Sequence, residues 1–151
     1  MQKLFFSALL IFIGSQTILA QDHGSHNLNK GGIAIEGYDP VAYFKQGKAI
    51  EGKKEYSATA DGVTYLFSSA QNVALFKADP AKYQPKYGGW CAYAMGATGE
   101  KVEIDPETFK IIDGKLYLYY NRFFNNTLKS WNKDETNLKQ KADANWQKFN
   151  H

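Results

Sequence analysis

The sequence predicts an α+β fold, a small antiparallel sheet of hairpins packed with short helices and a C-terminal helical segment. Asp-Gly pairs at 61–62 and 113–114 each separate two runs rich in β-branched and aromatic residues, and such pairs favour tight hairpin turns because they accept positive φ. After the first hairpin, Ser68 or Ser69 stands where a helix N-cap belongs. Apolar residues at helical spacing return in the last thirty positions or so.

The first hairpin is predicted to pair residues 55–60 with 63–67. The helix that follows should end at Asp79-Pro80, because proline disfavours a helical conformation in the residue before it. Earlier in the chain, a short strand is expected at 33–35. Asp39 and Pro40 then predict the start of a brief helix that ends near Gly47.

The second hairpin is predicted to pair residues 109–112 with 116–120, after a strand at 102–104 and a turn at 105–106. Leucines alternate with tyrosines in its second strand, at Leu116, Tyr117, Leu118 and Tyr119. Successive side chains of a strand point to opposite faces. We therefore expect one core face and one aromatic outer face.

Two helices are predicted near the C-terminus. The first should run from Phe123 to Trp131. The second should be capped by Asp134 or Thr136, and its apolar stripe is predicted to comprise Leu138, Ala142, Asn145, Trp146 and Phe149.

The N-terminus is typical of an exported protein. Lys3 precedes the apolar run 4–13, which has signal-peptide length and is too short to span a bilayer. We expect residues 1–20 to be a signal peptide cleaved after Ala20, with retention as an uncleaved anchor as the alternative. No cysteine lies near the cleavage site for lipid attachment, so the mature protein is expected to be periplasmic or secreted, without a stable membrane anchor.

After cleavage about 130 residues remain, enough for one domain with a core of its own. We assign 21–32 to a flexible polar leader and 33–151 to a single domain with a C-terminal helical extension. The formal charge of the whole chain is +3 and it has no run of Lys or Arg typical of nucleic-acid binding, so nucleic acid is not expected as a partner. His23 and His26 in the leader could bind copper or zinc, or be ordinary solvated residues.

Two segments resemble the YHS domain family. One is 37–44, Gly-Tyr-Asp-Pro-Val-Ala-Tyr-Phe, and the other runs from Tyr65-Leu66-Phe67-Ser68-Ser69 through Asn72, Phe76 and Asp79-Pro80 to Tyr83. Their order and spacing agree with the family over residues 35–87. The resemblance implies a small α+β module of a kind often attached to metal-handling proteins, such as heavy-metal transport ATPases, and to some multicomponent monooxygenases.

Cysteines supply the presumed metal ligands in those relatives. At the matching positions this chain has Ala42, Ser68 and Asn72. These neutral side chains do not replace thiolates as ligands for zinc or copper(I). The resemblance therefore implies that the family's usual metal site is not formed here.

Catalysis is not expected. The predicted domain has His151 as its one histidine, so a histidine base is lacking, and the aspartates stand mostly in turn or cap positions. The glycines match neither a phosphate loop nor a dinucleotide motif. An oxidoreductase built on Cys91 would lack a resolving cysteine, because Cys91 is the only one in the chain.

The sharpest chemical candidate is the pair Cys91 and Met95, whose soft sulfur atoms suit copper(I), with help from His23 and His26. The alternative is that both are packing residues, since free cysteine is typically a small buried hydrophobe and methionine a gap-filler. On the first view the protein is a non-enzymatic cell-envelope module that binds a soft metal such as copper.

A second hypothesis needs no metal. An aromatic surface including Tyr43, Tyr87, Trp90 and Tyr93 could bind a small apolar or planar ligand, or an envelope protein partner. The two hypotheses differ in one respect. A copper site must fail when Cys91 is replaced, whereas an aromatic pocket should survive that change.

Overall fold

The computed structural model describes residues 24–150 and confirms the α+β prediction. The predicted signal peptide, His23 and His151 lie outside the described residues. The strands are β1 Lys53–Ala60, β2 Val63–Phe67, β3 Asp105–Ile112, β4 Lys115–Tyr119, β5 Asn121–Arg122 and β6 Asn125–Asn126. The helices are α1 Ala42–Lys45, α2 Ala70–Ala78, α3 Pro80–Tyr83, α4 Ala92–Ala97, α5 Thr127–Lys133 and α6 Glu135–Trp146. No helix between residues 24 and 150 combines the length and the apolar character that crossing a bilayer requires.

Both predicted hairpins form, and each is an antiparallel pair of strands. Strand β1 pairs with β2 around Asp61 and Gly62, which take φ values of 52° and 75°. Strand β3 pairs with β4 around Asp113 and Gly114, at 50° and 71°. Left-handed conformations at both central residues define the turn type that suits the right-handed twist of a hairpin.

Helix α2 begins as its sequence predicts. The Ser69 side chain accepts a hydrogen bond from the backbone N–H of Asn72 at 3.2 Å, and the helix ends at Ala78, just before Asp79-Pro80. The brief helix α1 is likewise opened by a side chain. Asp39 Oδ1 accepts from the N–H groups of Val41 and Ala42.

Three expectations about local structure are wrong. The expected strand at 33–35 is replaced by isolated bridges and a 3-10 turn, Ile35–Gly37. Residues 101–104 do not form a strand, and β3 begins at Asp105, where the sequence predicts a turn. The first C-terminal helix begins at Thr127 and not at Phe123, because Asn126 is its N-cap and accepts from the N–H of Leu128.

The buried residues form two hydrophobic clusters, and strand β4 lies between them. Its leucines, Leu116 and Leu118, belong to the first cluster, around hairpin β1–β2 and helix α2. Its tyrosines, Tyr117 and Tyr119, belong to the second cluster, with residues of helices α4, α5 and α6. The prediction that these tyrosines form an aromatic outer face is therefore wrong. Both tyrosines are at most 2% exposed, because the C-terminal helices cover that face.

The buried tyrosines predict a loss of stability at high pH. Burial raises the pKa of Tyr65 and of Tyr117 to about 12, and it raises the pKa values of Tyr43, Tyr87 and Tyr119 well above the ordinary value for tyrosine. In the unfolded chain tyrosine ionises near pH 10.

The stabilisation that these neutral side chains provide is complete below about pH 10 and is lost as the pH rises through their folded pKa values. We expect the free energy of unfolding, measured in urea, to fall steeply above about pH 10. Replacing Tyr117 with phenylalanine should make that fall shallower. Equal stability at about pH 9 and pH 11 would contradict the prediction.

Candidate functional site

The described end of the polar leader is bound to the Gly-Gly-Trp loop. The N–H of Asn27 donates to the carbonyl of Gly88 at 2.8 Å, and the Asn27 side-chain amide donates to the carbonyl of Gly89 at 3.3 Å. Trp90 Nε1 donates to the carbonyl of Ser25 at 3.1 Å. The prediction of a flexible leader did not anticipate these contacts.

The loop that receives the leader has an unusual backbone. Tyr87, Gly88 and Gly89 have φ values of 56°, 59° and 84°. A left-handed tyrosine is strained, and such strain of about 1 to 3 kcal/mol is often found at functional sites. Gly88 is required for close approach as well, because an added Cβ would lie 2.3 Å from the carbonyl oxygen of Ser25.

This conformation places the ring of Tyr87 in a small aromatic cluster. Its centroid lies 6.2 Å from that of Trp146 and 5.8 Å from that of Tyr117. Trp146 in turn contacts Phe149 at 5.6 Å. The Tyr87 hydroxyl donates to Asp143 Oδ1 at 2.8 Å, and this hydrogen bond adds to burial in raising the pKa of Tyr87.

A cavity of about 420 Å³ opens beside this cluster, and both ends of the described chain reach it. Its wall includes Ser25 and His26 from the leader, Tyr65 and Tyr87 from the body, and Trp146, Phe149 and Asn150 from the C-terminus. We call it the aromatic cavity. Its volume is in the range of pockets that hold small molecules.

The charged side chains that line the aromatic cavity are mostly basic. Lys86 and Lys115 contribute ammonium groups, and Asp61 contributes a carboxylate. Gln84 Nε2 donates to Asp61 Oδ2 at 3.2 Å. His26 Nδ1 lies 3.0 Å from Ser25 Oγ.

Lys86 Nζ lies 3.5 Å from Asp143 Oδ1, so its charge is largely balanced. The Lys115 ammonium, which donates to the carbonyl of Ala81 at 3.4 Å, is the cation of the wall best placed to attract an anionic group.

A scan against protein-family models finds no matching family. Searches of curated proteins and of solved structures find no match either. The resemblance to YHS domains therefore stays a prediction, and the site has to be interpreted from its own geometry.

The other predicted ligand-binding residues lie elsewhere. Tyr93 lines a separate groove beside helix α4. Tyr43 lies in the core, 1% exposed, and its hydroxyl donates to the carbonyl of Pro106 at 2.8 Å. Trp90 is half-buried against the leader. The aromatic cavity thus brings together one of the four predicted residues, Tyr87, with the leader's His26.

The two sulfur residues are both fully buried, but in different clusters. Cys91 packs in the first cluster, with Sγ 3.5 Å from Thr127 Oγ1 and 3.4 Å from the backbone nitrogen of Tyr120. Met95 packs in the second cluster. Within residues 24–150 no group of three or more His, Cys, Asp and Glu side chains is arranged to hold a metal ion. Copper binding by Cys91 and Met95 stays a prediction.

The three positions that the YHS resemblance identifies lie together around a carboxylate. Asp39 is fully buried. Its Oδ2 accepts from the N–H and hydroxyl of Ser68, at 2.8 and 2.7 Å, and from Asn72 Nδ2 at 2.7 Å, while its Oδ1 accepts from the N–H of Ala42 at 3.2 Å. Each contact is a hydrogen bond to a charged acceptor, so this cluster is suited to stabilising the fold.

Sequence reasoning missed the residues that complete the aromatic cavity. The sequence predicts Trp146 and Phe149 in the apolar stripe of the last helix, and it gives no signal for Lys115. The distance in sequence from residue 26 to residue 149 left no local pattern to connect them. The excess of aromatic residues, 15% of the chain, was the one available signal.

Proposed function

We propose that the protein is a non-enzymatic binding module of the cell envelope that takes a small planar anion in the aromatic cavity. The observation that carries this proposal is the strained left-handed Tyr87, which lines the cavity with Trp146 and Lys115. The leader binds the next two residues, Gly88 and Gly89. Flat aromatic walls favour a planar ligand, and the Lys115 ammonium favours a carboxylate, sulfonate or phosphate group on it. The assignment to the cell envelope rests on the signal peptide predicted for residues 1–20.

The test uses naphthoate as the probe, with tryptophan fluorescence as the signal. Naphthylmethylammonium serves as its cationic counterpart of similar shape. We expect naphthoate to bind with one-to-one stoichiometry and at least about tenfold more tightly than the cation, because the Lys115 ammonium attracts the carboxylate and repels the cation. Equal affinity for the two probes would contradict the proposal.

Two variants locate the binding. Lys115→Gln removes a charge from an exposed side chain of the lining and should weaken naphthoate binding several-fold. Lys129→Gln removes another exposed lysine, in helix α5 and outside the lining, and should leave binding unchanged. If both variants bind naphthoate as the parent does, the aromatic cavity is not the site.

Cys91→Ala separates this proposal from copper handling. The Cys91 side chain lies in the other cluster and does not line the aromatic cavity, so naphthoate affinity should survive the change. Copper(I) affinity, measured by competition with a chromophoric chelator, should fall only if Cys91 is a ligand.

A further inference from the structure

Residues 24–27 of the leader form part of the wall of the aromatic cavity, and we call them the strap. Ser25 and His26 line the cavity. Gly24 is exposed and the other three residues are half-buried, so no side chain of the strap is enclosed in either hydrophobic cluster. Segments without buried apolar contacts are typically those that open locally at low cost in free energy.

The chain is fixed immediately after the strap. Leu28 packs against the first hydrophobic cluster and pairs with Ala34 in an isolated antiparallel bridge. Asn29 Oδ1 accepts from the N–H groups of Gly31 and Ile33, at 2.9 and 3.1 Å, and so closes a turn. These contacts do not involve the strap, so it can detach at Leu28 while the turn stays in place.

Two side chains that hold the strap stand outside the cavity wall. Trp90 Nε1 donates to the carbonyl of Ser25, and Asn27 donates from its backbone and its side chain to the carbonyls of Gly88 and Gly89. Neither Asn27 nor Trp90 lines the cavity. A substitution at either residue therefore acts on the cavity through the position of the strap.

Lys101 joins the strap to the C-terminal side of the cavity. Its ammonium group donates to the carbonyl of Gly24 and lies 4.3 Å from the centroid of the Phe149 ring. Phe149 lines the cavity, whereas Lys101 does not. The docked strap is therefore connected through Lys101 to an aromatic side chain of the wall.

We propose that the strap closes the aromatic cavity when a planar anion binds, so that docking of the strap and binding of the ligand strengthen each other. This inference rests on the proposed function. Ser25 and His26 belong to the wall only while the strap is docked, so a ligand in the cavity contacts them in that state alone. A ligand that gains contacts in one state shifts the population towards it, and the coupling is reciprocal. Asn27 and Trp90 are then positioning residues for the ligand.

The hydrogen bonds of the strap set the size of the effect. The net contribution of one hydrogen bond changes an equilibrium roughly fivefold, so loss of two of them should release the strap in a large fraction of molecules. The apparent affinity for a ligand falls in proportion to the fraction of molecules in the binding-competent state. We therefore expect the affinity of the cavity to follow the docked fraction of the strap.

The first experiment measures the naphthoate affinity of the purified protein by isothermal titration calorimetry. The double variant Asn27→Ala, Trp90→Phe removes the two side-chain donors and keeps an aromatic ring at position 90. It should weaken naphthoate binding at least about fivefold. The matched variant Asn137→Ala removes an exposed amide of helix α6, whose hydrogen bond is made with Asp134, and should bind naphthoate as the parent does.

The second experiment measures hydrogen exchange of the N–H at position 27, which reports on docking of the strap. Saturating naphthoate should slow this exchange at least about fivefold in the parent, and the double variant should speed it in the absence of ligand. The reference is the Gly52 N–H, which donates to the carbonyl of Gly37 at 2.8 Å, outside the strap and the cavity wall. A general loss of stability would change both exchange rates, whereas release of the strap changes the first alone.

The outcomes separate this inference from the proposed function. If naphthoate binds the parent but leaves the exchange at Asn27 unchanged, or if the double variant binds naphthoate as tightly as the parent, the cavity holds its ligand without the strap and the inference is wrong. Faster exchange at Asn27 in the presence of naphthoate would also overturn it, because the strap would then close the empty cavity. A parent that binds no naphthoate would remove the proposed function and this inference together.

Discussion

Replacing Asp39 with alanine should lower the free energy of unfolding by about 3 to 5 kcal/mol. The change leaves five hydrogen-bond donations without their acceptor, from Val41 N–H, Ala42 N–H, Ser68 N–H, Ser68 Oγ and Asn72 Nδ2. The carboxylate is fully buried, so water replaces little of what is lost. Urea unfolding followed by circular dichroism measures the effect.

The control is Asp79→Asn, at an exposed residue between α2 and α3. It should change stability by no more than about 0.5 kcal/mol. Asp39→Asn keeps the shape of the side chain but turns one acceptor into a donor, so an intermediate loss is expected. A loss below about 1 kcal/mol for Asp39→Ala would show that the cluster is not a main support of the fold.

The second large effect is expected at Gly96. Helices α4 and α6 approach so closely there that an added Cβ would lie 2.5 Å from the carbonyl oxygen of Leu138 and 3.1 Å from its carbon. Backbone atoms cannot rotate away as a side chain does. We expect Gly96→Ala to lower the free energy of unfolding by about 2 kcal/mol, although alanine in a helix ordinarily gains about 1 kcal/mol over glycine.

The matched substitution is Gly31→Ala. There the nearest atom to an added Cβ is Asn29 Oδ1 at 3.3 Å, an atom of a side chain and not of the backbone. This variant should unfold within about 0.5 kcal/mol of the parent. If Gly96→Ala proved as stable as Gly31→Ala, the contact between α4 and α6 would be looser than the structure shows.

The parts of the fold that the sequence predicted are those with local causes. Asp61-Gly62 and Asp113-Gly114 form the expected turns because their own φ preferences determine them. Ser69 caps helix α2 through a hydrogen bond three residues away. Such signals are complete within a few residues, so no knowledge of the rest of the chain was needed.

The predictions were wrong where contacts between distant segments determine the local structure. Alternation in β4 showed two faces but not that α5 and α6 cover the second, which buries Tyr117 and Tyr119. The sequence predicts a helix from Phe123, whereas the helix begins at Thr127 and Phe123 and Phe124 form a turn before it. Their left-handed turn contradicts the preference of phenylalanine and could not be predicted from it.

In the candidate site, too, local features could be predicted from the sequence and long-range contacts could not. Its aromatic, glycine-rich neighbourhood predicts a ligand-binding role for Tyr87, which lines the aromatic cavity. The sequence offers His26 as a metal ligand or a solvated residue, whereas its position beside the cavity depends on hydrogen bonds between the leader and residues 88–90. Trp146, near the C-terminus, also lines the aromatic cavity.

The position of β4 between the two clusters has a consequence for the order of folding. This strand supplies Leu116 and Leu118 to one cluster and Tyr117 and Tyr119 to the other, and it comes late in the chain. In a nascent chain that does not yet include β4, both hydrophobic clusters are incomplete. This holds even for the first cluster, although hairpin β1–β2 and helix α2 have already been synthesised. The polypeptide therefore stays vulnerable to aggregation and proteolysis until its last quarter emerges from the ribosome. A chaperone that binds unfolded chains would protect it during that time.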